Sequence, residues 1–257
     1  MKKDQDALHL LWQQEEQAAF QGWDFSRLSG RWQEGELPWD YRAMVLQALT
    51  PHARLLDMGT GGGEFLLSLG HPPALTCATE GYPPNLLLCE QKLSPLGVTV
   101  KEVAEDDILP FPDNSFDLII NRHESFDAAE VFRCLRQEGR FITQQVGARN
   151  NESLSHRLIA DYTPAYPNHT LAHNESMLQQ AGFDIQTAQE AYPPLRFFDV
   201  GAIVYFAKII EWEFPGFSVD KCFDRLLALQ AEMARDGFVE SREHRFVVVC
   251  RKPVLVR

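Results

Sequence analysis

The chain of 257 residues has no long apolar run, no cysteine pair at redox or metal spacing, and no excess of basic charge. Its most apolar stretch, Val200 to Ile210, falls well short of the roughly 20 residues a membrane-spanning helix needs and is broken by Lys208. The five cysteines (Cys77, Cys89, Cys134, Cys222 and Cys250) form an odd, scattered set. That argues against a disulfide framework or a zinc ribbon and favours buried thiols in a reducing compartment. Lysine and arginine number 24 against 36 acidic residues, a net charge of -12. Such a chain lacks the broad basic field that long nucleic acids attract, leaving only a local patch as a route to such partners. The polar start and the interrupted segment Leu8 to Trp12, with no small-residue cleavage site after it, read against a secretory leader. His169-Thr170-Leu171-Ala172-His173 lacks the glutamate of a zinc-helix motif and any third ligand nearby, so no metal is expected. The compartment these absences indicate is the cytoplasm, with no membrane segment.

What is present is an alternation of short apolar runs with helical periods, in a chain long enough for one large α/β domain with additions. Residues 1–50 read as an N-terminal helical cap. Ala7 to Phe20 places Leu8, Leu11, Trp12 and Ala19 on one helical face, and a second helix runs from Tyr41 to Leu49, before Pro51. No strand is expected there; Trp23, Trp32, Trp39 and Tyr41 are candidates for a lid or for ordinary packing. Residues 51–147 alternate strand and helix, the pattern of a parallel sheet. The expected strands are Arg54–Asp57, Ala74–Thr79, Val98–Val103, Phe116–Ile120 and Arg140–Gln145, with helices after the glycines, from Pro83, and over Ala128–Arg136. Residues 148–257 complete the sheet with a helix at Thr170–Ala181, a strand near Phe183–Ile185 and a terminal strand over Phe238–Arg251. Between them lies an aromatic-rich insert, about 193–237, with a helix at Val219–Arg235.

The chemistry concentrates at Leu55-Leu56-Asp57-Met58-Gly59-Thr60-Gly61-Gly62-Gly63, an apolar strand ending in an acid and a glycine turn. A strand, glycine turn and helix read as a nucleotide-type cofactor site. A carboxylate at the strand tip repels a pyrophosphate, which needs bare backbone N–H groups. It suits instead a ligand carrying an ammonium group, and S-adenosylmethionine combines an amino-acid zwitterion, a ribose and an adenine with no phosphate. Glu80 closes the next strand, where an acid accepts hydrogen bonds from ribose hydroxyls. Ligands of open parallel sheets lie outside the strands' carboxyl ends. That places Asn121, His123 and Glu124 after the fourth strand, and Gln144 and Gln145 on the fifth, in the same cleft.

Glu105-Asp106-Asp107-Ile108-Leu109-Pro110-Phe111 and Pro112-Asp113-Asn114-Ser115-Phe116-Asp117 add a family pattern. With them the chain resembles class I S-adenosylmethionine-dependent methyltransferases, over about Pro51 to Val146. The resemblance implies a Rossmann-like, mostly parallel seven-stranded sheet with helices on both faces. It also implies a cofactor set of Asp57, Gly59, Thr60, Gly61, Glu80, Gly81 and Asn121. The adenine amine would fall to Glu105 or Asp106, with Asp107 third. His123 and Glu124 are the candidate bases, and Trp39, Tyr41, Gln144 and Gln145 the candidate substrate contacts. There is no Asn-Pro-Pro-Tyr of amino-group methylases and no Pro-Cys nucleophile of cytosine-carbon methylases. Gln137-Glu138-Gly139 replaces the usual Pro-Gly-Gly turn. A small or medium-sized acceptor is expected, its pocket shaped by the aromatic-rich insert, with S-adenosylhomocysteine as the other product. The alternatives are an RNA or protein methyltransferase, and a non-catalytic S-adenosylmethionine-binding protein.

Overall fold

The computed structural model describes residues 2–20, 25–103 and 108–254. It divides into two compact units. One comprises Pro38–Val146, His169–Glu190 and Arg245–Arg257; the other comprises Met1–Leu37, Gly147–Asn168 and Ala191–His244.

The first of these carries a seven-stranded sheet flanked by helices. Its strands are β1 (Leu55–Met58), β2 (Thr76–Glu80), β3 (Thr99–Glu102), β4 (Phe116–Arg122), β5 (Leu135–Val146), β6 (Asp184–Ala191) and β7 (Arg245–Arg251). They lie in the order β3-β2-β1-β4-β5-β7-β6. β1 pairs parallel with β2 and β4, β2 with β3, and β4 with β5, while β7 runs antiparallel to β5. The central strands are apolar because both of their faces are covered: Leu55, Leu56, Leu118, Ile119 and Ile120 are buried. Packed on them are Phe116, Phe141, Phe183, Phe246 and Val248. The strand order runs outward from β1 to β2 and β3 on one side and through β4 to β5 on the other, so the switch point where such sheets bind ligands lies at the tips of β1 and β4, with that of β2 alongside. All five cysteines are buried free thiols.

The other unit packs the helices Lys2–Glu16, Glu152–Leu158, Val200–Ile209 and Val219–Asp236 with a three-stranded antiparallel sheet. Val219, Cys222, Leu226, Leu229 and Met233 recur every three or four residues and form the buried stripe of the last helix. Ser218 caps its start, and Gly237, at φ 83°, its end. Most insert aromatics are core here: Phe197, Tyr205, Phe206, Phe214 and Phe217 are buried, whereas Phe198 and Trp212 stay exposed. No helix of the described residues is long and apolar enough to cross a membrane.

Three expectations are corrected. The N-terminal block does contain a strand, Trp32–Glu34, paired with Pro194–Phe197; a three-residue strand with a partner so distant leaves no periodicity of its own. The terminal strand is two strands. Val239–Arg242 joins the three-stranded sheet and Arg245–Arg251 the seven-stranded one, with Glu243 and His244 between them. The first helix spans Lys2–Glu16 rather than Ala7–Phe20.

Candidate functional site

The glycine turn is built by left-handed backbone at Gly59, Gly61 and Gly63, with φ of 62°, 60° and 79°. A side chain is excluded at Gly59, where a Cβ would lie 2.5 Å from that of Glu124, while Gly61 faces open space. Thr60 N–H donates to the Thr79 carbonyl at 3.1 Å, tying the turn to β2. Its hydroxyl donates to Asp57 Oδ2 at 2.7 Å. Asp57 is only 4% exposed. Burial pushes its carboxyl up to about 7, against the Thr60 hydrogen bond and Arg122, with Glu80 adding to the rise. A buried carboxyl held so far above its usual range is one that a cationic group would ionise.

Glu80 is buried at the tip of β2. Its Oε2 accepts from Gly61 N–H at 2.8 Å, and its Oε1 from Gly81 and Tyr82 N–H at 3.0 and 2.9 Å. Those bonds fix the carboxylate plane and leave acceptor capacity for a further donor. Cys89 Sγ donates to the Gly61 carbonyl at 2.8 Å, holding the turn from the following helix. Glu105, Asp106 and Asp107 lie outside the described residues, as does Trp23.

At the tip of β4, Asn121 is fully buried. Its Oδ1 accepts from Gln145 Nε2 at 2.8 Å and Thr143 Oγ1 at 3.2 Å, while its Nδ2 has no partner. An orphaned buried amide beside the glycine turn is a group that a ligand would satisfy. Gln145 also donates to the Glu124 carbonyl at 3.0 Å. Tyr41 hydroxyl donates to the Asn121 carbonyl at 2.9 Å, and its ring lies 5.4 Å from Phe65. Arg122 covers that same Phe65 ring at 4.7 Å. Trp39 indole N–H donates to Gln144 Oε1 at 2.8 Å, and Gln144 Nε2 lies 3.3 Å from His123 Nε2.

His123 has a left-handed backbone, φ 69°, unusual without glycine. More than a third of its surface meets solvent, yet protein crowds it as in a concavity. That crowding, followed by Arg245 and Arg122, pushes the imidazole below its ordinary range. Of the residues read from the sequence, those described gather on four neighbouring strands, β2, β1, β4 and β5, with Tyr41 and Trp39 bonded to the last two. Arg122 and Arg245 were missed; Arg122 had a signal, lying between Asn121 and His123 at a strand's carboxyl end. A separate cavity of about 670 Å³, lined by Glu16, Phe20, Tyr205, Lys208, Ile209 and Phe217, lies in the other unit and contains none of these groups.

Residues 56–143 match the family described as "Methyltransferase domain". Demethylmenaquinone methyltransferase of Thermus thermophilus is 30% identical over 117 residues, a match covering 42% of this chain and about half (53%) of that protein. Among solved structures, the BH2331 protein of Bacillus halodurans is 17% identical and covers 83% of this chain and 99% of its own, with a TM-score of 0.57. YcgJ of Bacillus subtilis is 18% identical, with 83% and 98% covered and a TM-score of 0.56. At that identity the likeness is one of fold. The match to a methyltransferase domain is confined to residues 56–143, and over the wider chain the likeness to the solved structures is that of a seven-stranded, mostly parallel sheet flanked by helices.

Proposed function

We propose that this protein transfers a methyl group from S-adenosylmethionine to a small or medium-sized acceptor. The observation that carries the reading is Asp57, a buried carboxyl with one hydroxyl partner beside a glycine turn, a setting that calls for a cation. In the proposed arrangement Asp57, Gly59, Thr60 and Gly61 hold the methionine end, with the free Asn121 amide as a further partner. Glu80 and Gly81 hold the ribose, and one of Glu105, Asp106 and Asp107 the adenine. When bound, the cofactor supplies a methyl group already activated on a sulfonium. What the chain adds is alignment and exclusion of water; holding two reactants in attack geometry contributes up to roughly 7–11 kcal/mol in ideal cases. The named acceptor of the Thermus relative, a small molecule, supports a small acceptor here. The net charge of -12 points away from a long nucleic acid.

The test is transfer of labelled methyl into fractionated extract, separated into small molecules, RNA and protein. Label in a small-molecule fraction is expected. Label confined to RNA or protein would replace the acceptor class, and cofactor binding without transfer to any fraction would favour a non-catalytic role.

A further inference from the structure

Trp39, Gln144 and His123 form a relay whose hydrogens are fixed by elimination. An indole N–H only donates, so the Gln144 atom facing Trp39 at 2.8 Å must be the carbonyl oxygen. The amide nitrogen then faces His123 Nε2 at 3.3 Å, and an NH₂ group only donates. His123 Nε2 must therefore accept, which leaves the ring proton on Nδ1. The main chain locks the same pair, His123 N–H donating to the Gln144 carbonyl at 2.8 Å. Among the described residues no other group bonds the ring, and the residue is open to solvent two positions beyond Asn121.

We propose that His123 is a fixed hydrogen-bond donor to the methyl acceptor, through Nδ1–H, and that the acceptor presents an anionic or carbonyl oxygen there. This rests on the methyltransferase reading above. The charged groups around the ring support it: Arg122 and Arg245 act on it as cations, and Glu124, folded over Gly59, is the neighbouring acid. A donor N–H beside guanidinium groups attracts oxygen lone pairs and favours ionisation of an enol or phenol. The acceptor's proton then passes to water before transfer. The acceptor's electron pair forms the new bond to the methyl carbon, and the electrons of the broken sulfur–methyl bond remain on sulfur. No protein base is required, and His123 keeps its proton throughout.

Long-range proton–nitrogen correlation spectra of protein labelled with ¹⁵N-histidine test the relay without any acceptor, the His123 signals being assigned by their loss in His123→Gln. The expected result is a neutral ring protonated at Nδ1 that does not titrate at neutral pH. Trp39→Phe should release the amide and mix the tautomers. Gln144→Glu should place an acceptor against Nε2, move the proton there and make the ring titrate. An Nε2-protonated ring in the wild type, or titration with an ordinary imidazole midpoint, would overturn the relay. With the labelled acceptor fraction, His123→Gln should restore part of the transfer that His123→Leu loses, and the wild-type rate should show no acid limb belonging to His123. Equal loss in both variants together with such a limb would show a base instead. Failure of transfer with an intact relay would count against the acceptor reading alone.

Discussion

Replacing Asp57 by asparagine should make the folded protein more stable at high pH while damaging the site. Asparagine keeps the shape and an oxygen for the Thr60 hydroxyl, but removes the buried acid. The Asp57 carboxyl rises from 3.8 to about 7 on folding, chiefly through burial. Between those values the folded chain holds a proton that the unfolded chain has released. Stability from this group is therefore full at low pH, falls as pH rises, and is lost above about 7. At about 1.4 kcal/mol per unit, the wild type should lose roughly 3 kcal/mol between pH 5 and pH 8 that Asp57→Asn keeps. For a chain of this size that is a relative shift in Tm of about 6–12 °C. Thermal or urea unfolding of both proteins at pH 5, 6, 7 and 8, without cofactor, measures it. Parallel stability profiles would refute the buried, uncompensated acid. The same variant should bind S-adenosylmethionine at least about tenfold more weakly, since an ammonium group loses its counter-charge.

Three further outcomes are expected. Glu80→Gln offers one oxygen where two accept from Gly61, Gly81 and Tyr82; calorimetry should show binding weakened about tenfold or more, each lost charged hydrogen bond contributing about 1.5–3 kcal/mol. Gly59→Ala places a methyl group in left-handed backbone against Glu124. Urea unfolding should show a loss of about 1–3 kcal/mol, with cofactor binding reduced; full stability would remove the strain claim. In the other unit, buried Glu213 accepts from the side-chain amides of Asn150 and Asn151 at 2.6 and 2.9 Å. Glu213→Ala should cost about 2–4 kcal/mol by unfolding measurements, and Glu213→Gln, which retains an acceptor oxygen, less.

The parts legible in the sequence are those whose signal is local. Leu118-Ile119-Ile120 announces a doubly covered strand because a parallel strand must be apolar on both faces. Asp57 with Gly59 and Gly61 announces the turn because those backbone angles favour glycine. The illegible parts depend on partners far along the chain. Trp32–Glu34 is a strand only because Pro194–Phe197 arrives beside it. The terminal strand breaks at Glu243 and His244, which carry no glycine or proline to mark the change of sheet. Trp39 and Gln144 read from the sequence as separate candidate substrate contacts, because the bond that joins them spans 105 positions. Arg122 resembles any solvated charge at a strand end until its guanidinium is seen over Phe65.

The most direct test of the cofactor site is calorimetric titration of the purified protein with S-adenosylmethionine and with S-adenosylhomocysteine at pH 8, where Asp57 is ionised before binding. One-to-one binding in the micromolar range is expected, weakening as pH falls through 7 and the carboxyl takes up its proton. Absence of heat with both ligands would contradict a methyl-donor site at Asp57 and Glu80.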